Sequence, residues 1–130
     1  MKTFIVEDSV LVTAYLVEML KGIRCVEIVG HATNPGDAIA RIRDSSPEVI
    51  ILDLRLSGGS GIEVLERVKS AERPPVVIVL SNYAYAEYRE RCRELGAEYF
   101  FDKAFEFDRV AEVLQGLCGE KGFPGDQTGR

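Results

Sequence analysis

The sequence has no excess of positive charge, no long apolar run and no closely spaced cysteine pair, and each absence removes a class of function. Sixteen Lys+Arg against twenty-one Asp+Glu leave a formal net charge of −5, so bulk charge favours neither nucleic acid nor an anionic membrane as the main partner. Excess acid suits a cation or a basic protein surface instead. No window approaches the roughly eighteen uncharged residues of a membrane span, and the opening MKTFIVEDS meets two acids after a short apolar run, which predicts a cytoplasmic protein. Cys25, Cys92 and Cys118 are odd in number and widely spaced, with no CxxC pair to suggest zinc or redox chemistry. They are expected to be reduced residues in an apolar core. Neither an internal repeat nor a low-complexity block interrupts the 130 residues, a length that suits one α/β domain.

What is present is a regular alternation. Short runs rich in Val, Ile and Phe recur between longer stretches with helical spacing of apolar residues. Strands are predicted at Thr3–Glu7, Val26–Val29, Val49–Asp53, Val76–Leu80 and Tyr99–Phe101. Helices are predicted at Val10–Lys21, Gly36–Arg43, Gly61–Ser70, Ala84–Leu95 and Phe107–Leu117. Five of each suits an open, doubly wound parallel sheet. The runs Val49–Leu52 and Val76–Leu80 lack polar alternation, as central strands covered on both faces should. Residues 119–130 are polar and glycine-rich without periodicity, which predicts a flexible tail after a domain spanning 1–118.

Glu7 and Asp8 follow the first predicted strand and Asp53 closes the third, so three acids should converge at the carboxyl edge, where open α/β sheets bind ligands. Like charges crowded at a partly buried edge require a compensating cation, and clustered carboxylate oxygens are the ligands Mg²⁺ prefers. Asp8 could instead cap the helix starting at Val10. Ser81 ends the fourth strand and Lys103 follows the fifth, adding a hydroxyl and a cationic head to the same edge. Singly, Ser81 reads as a helix cap and Lys103 as a solvated lysine. Together with the acids they form what aspartyl phosphorylation needs: metal ligands, a carboxylate nucleophile and two donors for phosphoryl oxygens.

On these residues the chain resembles the receiver domain of two-component response regulators, of the stand-alone single-domain type. The motifs are Glu7-Asp8, Asp53 in IILDLRLSGGSGIEVL, Ser81 in VIVLSNYA, and Lys103 in GAEYFFDKA. The resemblance implies a flavodoxin-like (βα)5 sandwich with strand order 2-1-3-4-5. It also implies that Asp53 accepts a phosphoryl group from a histidine kinase or phosphotransfer protein. Asp8, Asp53 and the backbone carbonyl of Arg55 would ligate Mg²⁺, with Glu7 acting largely through water, while Ser81 and Lys103 bind phosphoryl oxygens. Such a protein is not an enzyme apart from catalysing its own phosphorylation and dephosphorylation. Switching would couple Ser81 to Phe100 and bias the face of the fourth helix, fifth strand and fifth helix toward an effector protein or a second copy.

Three departures from the family pattern carry expectations. Ala104 replaces the usual proline after the lysine, predicting a trans bond and a less rigidly aimed Lys103. Asn82 and Tyr83 stand where small residues are usual and should narrow access to Asp53. Phe100 lacks a hydroxyl, so packing alone should set its rotamer.

On the first helix Val12, Leu16 and Met19, with Tyr15 beside them, should face the sheet, leaving Val10, Leu11, Ala14 and Val17 as an apolar outer strip, of which Val10, Leu11 and Ala14 would dock the helical phosphodonor. The fourth helix puts Tyr85, Tyr88, Cys92 and Leu95 on one core-facing stripe and its charges on a solvated face. A flavodoxin-type cofactor protein is disfavoured because EDSVLVT offers acids where a phosphate loop is needed. A receiver-like module that binds proteins without phosphorylation is the remaining alternative.

Overall fold

The computed structural model describes residues 1–120. A five-stranded sheet in the order β2-β1-β3-β6-β7 runs through its middle. The strands are β1 (Lys2–Val6), β2 (Glu27–Ala32), β3 (Val49–Leu52), β6 (Val76–Ser81) and β7 (Tyr99–Asp102), and every pairing between them is parallel. This is the expected order once the minute hairpin β4 (Arg55–Leu56) and β5 (Gly59–Ser60) is counted in chain sequence. No strand is predicted from the sequence over that hairpin. Its turn needs Gly58, whose φ of +76° lies in the left-handed region.

Helices α1 (Val10–Lys21), α2 (Pro35–Ser45), α3 (Gly61–Lys69), α4 (Ala86–Glu94) and α5 (Arg109–Glu120) flank the sheet. One core layer packs Leu16, Leu20, Val110 and Leu114 against Ile5, Ile51 and Ile78. The other packs Ala38, Ile42, Val64, Leu65 and Cys92 against Phe4, Ile50, Leu52 and Val77. Covered from both sides, β3 is buried throughout, as its unbroken apolar run predicts. No helix among the described residues is long and apolar enough to cross a membrane.

Several boundaries and orientations differ from the sequence-based expectations. The cap of α1 is Ser9, whose hydroxyl accepts the Val12 N–H at 3.2 Å, so Asp8 is released from that role. Helix α4 begins two residues later than expected and meets the core through Cys92 and Leu95. Tyr85 is 60% exposed and Tyr88 is also exposed, contrary to a core-facing stripe. The Tyr88 ring lies 6.2 Å from that of Tyr85 and 6.3 Å from that of Tyr83, centroid to centroid, so the three rings pack on one another at the start of α4. Val17, expected on the outer strip, packs partly against the core, whereas Tyr15, expected to face the sheet, is exposed. Helix α5 continues to Glu120, two residues into the expected tail; residues 121–130 lie outside the described residues.

The cysteines also need correction. Cys25 and Cys118, 93 positions apart, are joined in a disulfide with Cα atoms 6.1 Å apart, and only Cys92 is free. Lack of a CxxC motif excludes a local pair, not one assembled by the fold.

Gly61 is the close approach on which the active edge depends. A Cβ there would lie 2.0 Å from the Asp53 carbonyl oxygen, and its N–H donates to the Leu54 carbonyl at 2.7 Å. Gly61→Ala must push backbone apart beside Asp53, and a loss of about 3 kcal/mol in unfolding free energy is expected by urea titration. Unchanged stability would show that the loop relaxes freely.

Candidate functional site

Parallel register builds the site. Val6 of β1 lies beside Leu52 of β3, so the next residues, Glu7 and Asp53, emerge side by side; the Asp53 N–H donates to the Val6 carbonyl at 2.9 Å. Ser81 pairs with Asp102 across β6 and β7, and the Lys103 N–H donates to the Ser81 carbonyl at 2.9 Å. One oxygen from each of Glu7, Asp8 and Asp53 lies within 4.8 Å of the others. Glu7 and Asp53 are buried and Asp8 is exposed.

Lys103 Nζ sits between the two buried carboxylates, 2.9 Å from Glu7 Oε1 and 2.8 Å from Asp53 Oδ2. Every peptide bond among the described residues is trans, as the Lys103-Ala104 sequence predicts, yet the lysine is well aimed. Its backbone anchor on Ser81 and its two ion pairs do what a fixed loop geometry would otherwise do. The remaining carboxylate oxygens are held by backbone: Leu54 N–H donates to Asp53 Oδ1 at 2.7 Å and Ser9 N–H to Glu7 Oε2 at 3.0 Å.

Burial pushes the Glu7 carboxyl pKa up, and the hydrogen bonds from Lys103 and Ser9 only partly counter it. For Lys103 burial works against the charge, but hydrogen bonds to Asp53 and Glu7, reinforced by their charges, hold its pKa above the ordinary lysine value. Asp8 has no cationic partner within ion-pair distance among the described residues. Three acids and one ammonium therefore leave the edge net negative. The donor set is all oxygen and closely grouped, which fits a hard divalent cation.

Ser81 is fully buried at the end of β6, and its hydroxyl oxygen accepts the Tyr83 N–H at 3.0 Å. That bond uses an acceptor site and leaves the hydroxyl proton to donate. Tyr83 in turn meets Arg55: its hydroxyl contacts Arg55 Nη1, and the guanidinium carbon stands 5.5 Å from the ring centroid. The contact joins the loops after β3 and β6 across the edge, where Tyr83 was expected to narrow access.

Phe100, the expected switch aromatic, is half-buried on β7 beside Val79. Packing alone does not hold it. Arg89 lays its guanidinium 4.8 Å from the ring centroid and donates to the Phe100 carbonyl at 3.2 Å, to the Ala84 carbonyl at 3.3 Å and to Glu106 Oε1 at 3.4 Å. The Asp102 N–H, and then Arg89, pull the Glu106 pKa below the usual carboxylate range. Sequence reasoning missed Arg89 because its partners are mostly backbone carbonyls, which leave no pattern in a charge run. Among the docking candidates Val10 is 84% and Leu11 67% exposed, with Ala14 also exposed. A concavity of about 1070 Å³ lies at the opposite edge between Ile42, Val68, Pro74 and Leu117. It contributes none of these groups.

Lys103→Met should leave Glu7 and Asp53 buried without their cation. In chelator at neutral pH, a loss of about 3 kcal/mol in unfolding free energy is expected. For carboxyls whose folded pKa exceeds the unfolded one, stability falls as pH rises and returns as pH falls, so the deficit should shrink on acidification. A deficit constant across urea titrations from neutral to acid pH would contradict this electrostatic account.

Comparison with known proteins identifies the family and the fold. The response regulator receiver domain family matches residues 3–115. The sensory transduction protein LytT of Bacillus cereus is 29% identical over 115 residues, covering 88% of this chain and 46% of that protein. A protein-glutamate methylesterase/protein-glutamine glutaminase of Clostridium acetobutylicum is 32% identical over 118 residues, covering 87% of this chain and 34% of that one. The chain thus spans less than half the length of these curated relatives. Among solved structures, the signal receiver domain of the DNA-binding response regulator protein merR from Colwellia psychrerythraea superposes with a TM-score of 0.82 at 26% identity, covering 91% of this chain and 98% of that one.

Proposed function

This chain belongs to the response regulator receiver family, and from that premise we propose that it accepts a phosphoryl group onto Asp53 from a phosphohistidine, in a Mg²⁺-dependent reaction, and then alters its α4–β7–α5 face to bind a partner. The observation that carries this reading is Lys103 Nζ held between Glu7 and Asp53 while Asp8 completes a three-carboxylate cluster. In the transfer, an Asp53 carboxylate oxygen attacks phosphorus, the phosphorus–nitrogen bond breaks, and the imidazole leaves with a proton. The Leu54 N–H fixes Oδ1 and so sets the carboxylate plane, leaving Oδ2 beside the lysine. Lys103 then meets one phosphoryl oxygen and the Ser81 hydroxyl donates to another. Asp8, Asp53 and the Arg55 carbonyl, with Glu7 acting largely through water, would hold Mg²⁺, which would supply the charge neutralisation an anionic donor needs at this edge.

The consequence of phosphorylation is a population shift. Ser81 moves toward the phosphoryl group, the Tyr83 N–H bond is disturbed, and Phe100 and Arg89 re-pack with the face they hold together. We assign the protein to the cytoplasm, as a non-enzyme apart from its own phosphorylation and dephosphorylation, with a histidine kinase or phosphotransfer protein upstream and an effector protein or a second copy downstream. Intact mass after incubation with Mg²⁺ and a small phosphodonor is the direct test. Wild type should gain one phosphoryl group and Asp53→Asn none; a gain that persists in the variant would sink the assignment, and no gain in either would favour a phosphorylation-independent binding module.

The upstream partner docks on the exposed apolar start of α1, through Val10, Leu11 and Ala14. Phe105, 87% exposed and two residues after Lys103, extends apolar surface along the same carboxyl edge. A helical histidine-bearing domain presents a matching apolar face. Val10→Glu should slow transfer from the protein phosphodonor at least tenfold, about 1.4 kcal/mol at the transition state, while leaving small-donor phosphorylation intact. Equal loss of both in parallel mass assays would exclude docking there.

A further inference from the structure

Cys25 lies in the turn between α1 and β2, Cys118 in the last turn of α5, and the distance of 6.1 Å between their Cα atoms is within the span a disulfide requires. Both are buried, so exchange with solvent thiols needs the chain around one of them to open. The end of α5 carries two residues that weaken a helix. Gly116 and Gly119 bracket Cys118, and a Cβ at either would meet nothing among the described residues. Packing thus gives no reason for glycine at these positions, while each glycine weakens the helix relative to alanine. A helix end so weakened opens locally ahead of the core. Cys92 is the contrast: fully buried, without a second cysteine, and with burial pushing its thiol pKa up to about 11, it has neither partner nor reactivity.

We propose that Cys25–Cys118 is a reversible thiol–disulfide exchange site, gated by local opening of the last turn of α5, whose exchange partner is a low-molecular-weight thiol and its disulfide. For reduction, a small thiolate attacks Cys118 Sγ once the turn opens. The protein S–S bond breaks, Cys25 leaves as thiolate and takes a proton, and a mixed disulfide remains on Cys118. A second small thiolate attacks that mixed disulfide at the small-molecule sulfur, releasing the oxidised small disulfide, and Cys118 takes a proton. Two electrons pass from two small thiols to the protein disulfide; oxidation is the reverse. Oxidised, the site ties the far end of α5 to the α1–β2 turn by a covalent bond; reduced, it leaves that end held by the packing of Leu114, Leu117 and the Cys118 thiol.

The test uses the full chain with glutathione as the probe. Protein equilibrated at graded ratios of reduced to oxidised glutathione is quenched by alkylation and weighed intact under native conditions. One two-thiol step is expected, with Cys92 unmodified in both forms. A disulfide that forms at no ratio, or one that resists every reducing ratio, overturns the proposal. Reduction rates then test the gate. Gly116→Ala and Gly119→Ala should each slow reduction about fivefold, the factor corresponding to the helix-propensity difference. Val64→Ala, which weakens the opposite core layer, should leave the rate unchanged. Rates insensitive to both glycine substitutions, or accelerated in proportion to the global destabilisation by Val64→Ala, overturn local gating.

Discussion

One ammonium group decides whether this edge of the sheet can exist. Glu7 and Asp53 are delivered side by side by the β1–β3 register, and burial of two carboxylates at hydrogen-bond reach of one point is unfavourable without a cation between them. Lys103 arrives from β7, beyond β6 in the sheet, on a loop whose first N–H is tied to the carbonyl of Ser81. Its position therefore depends on four strands keeping their register at once. A one-residue slip in any of them would turn the wrong side chains to the edge, so the chemistry and the fold are specified by the same hydrogen-bond ladder.

Legibility in the sequence followed the range of the interaction. The strands and the sheet's fold class were readable because unbroken apolar runs such as Val49–Leu52 and Val76–Leu80 report burial on both faces locally. Glu7, Asp8, Asp53, Ser81 and Lys103 were readable because strand ends in a parallel sheet share one edge, so position along the chain implies proximity. The Cys25–Cys118 pair was not, because 93 residues separate the partners and only the closed fold joins them. Tyr85 and Tyr88 were misread because three-residue spacing cannot tell how much of a short helix reaches the sheet. Arg89 escaped because a side chain that bonds carbonyl oxygens of Ala84 and Phe100 answers to backbone, which every sequence has.

Arg89 also changes what a phenylalanine at position 100 can do. Without a hydroxyl, the ring has no polar handle to fix its rotamer, and a guanidinium 4.8 Å from its centroid provides one from outside. The same guanidinium holds the loop before α4 and, through Glu106, the segment before α5. Ring, loop and helix approach are thereby a single unit, with Ser81 two residues before Tyr83 and three before Ala84. In the proposed switch, a displacement of Ser81 would act on that unit through the intervening backbone and so couple the edge to the face.

The balance of charge at the edge is deliberately short by its geometry. Lys103 reaches Glu7 and Asp53 and no further, so Asp8 remains uncompensated within ion-pair distance among the described residues. An anionic phosphodonor approaching this edge would meet net negative charge, to which the attacking Asp53 itself contributes. Under the proposed function, transfer would therefore wait for a cation of the kind oxygen ligands hold, because the buried lysine is already committed to two carboxylates. Placing the uncompensated acid at the exposed position, with the two compensated ones buried, keeps that requirement from costing the core its stability, because solvent screens Asp8 where it could not screen Glu7 or Asp53.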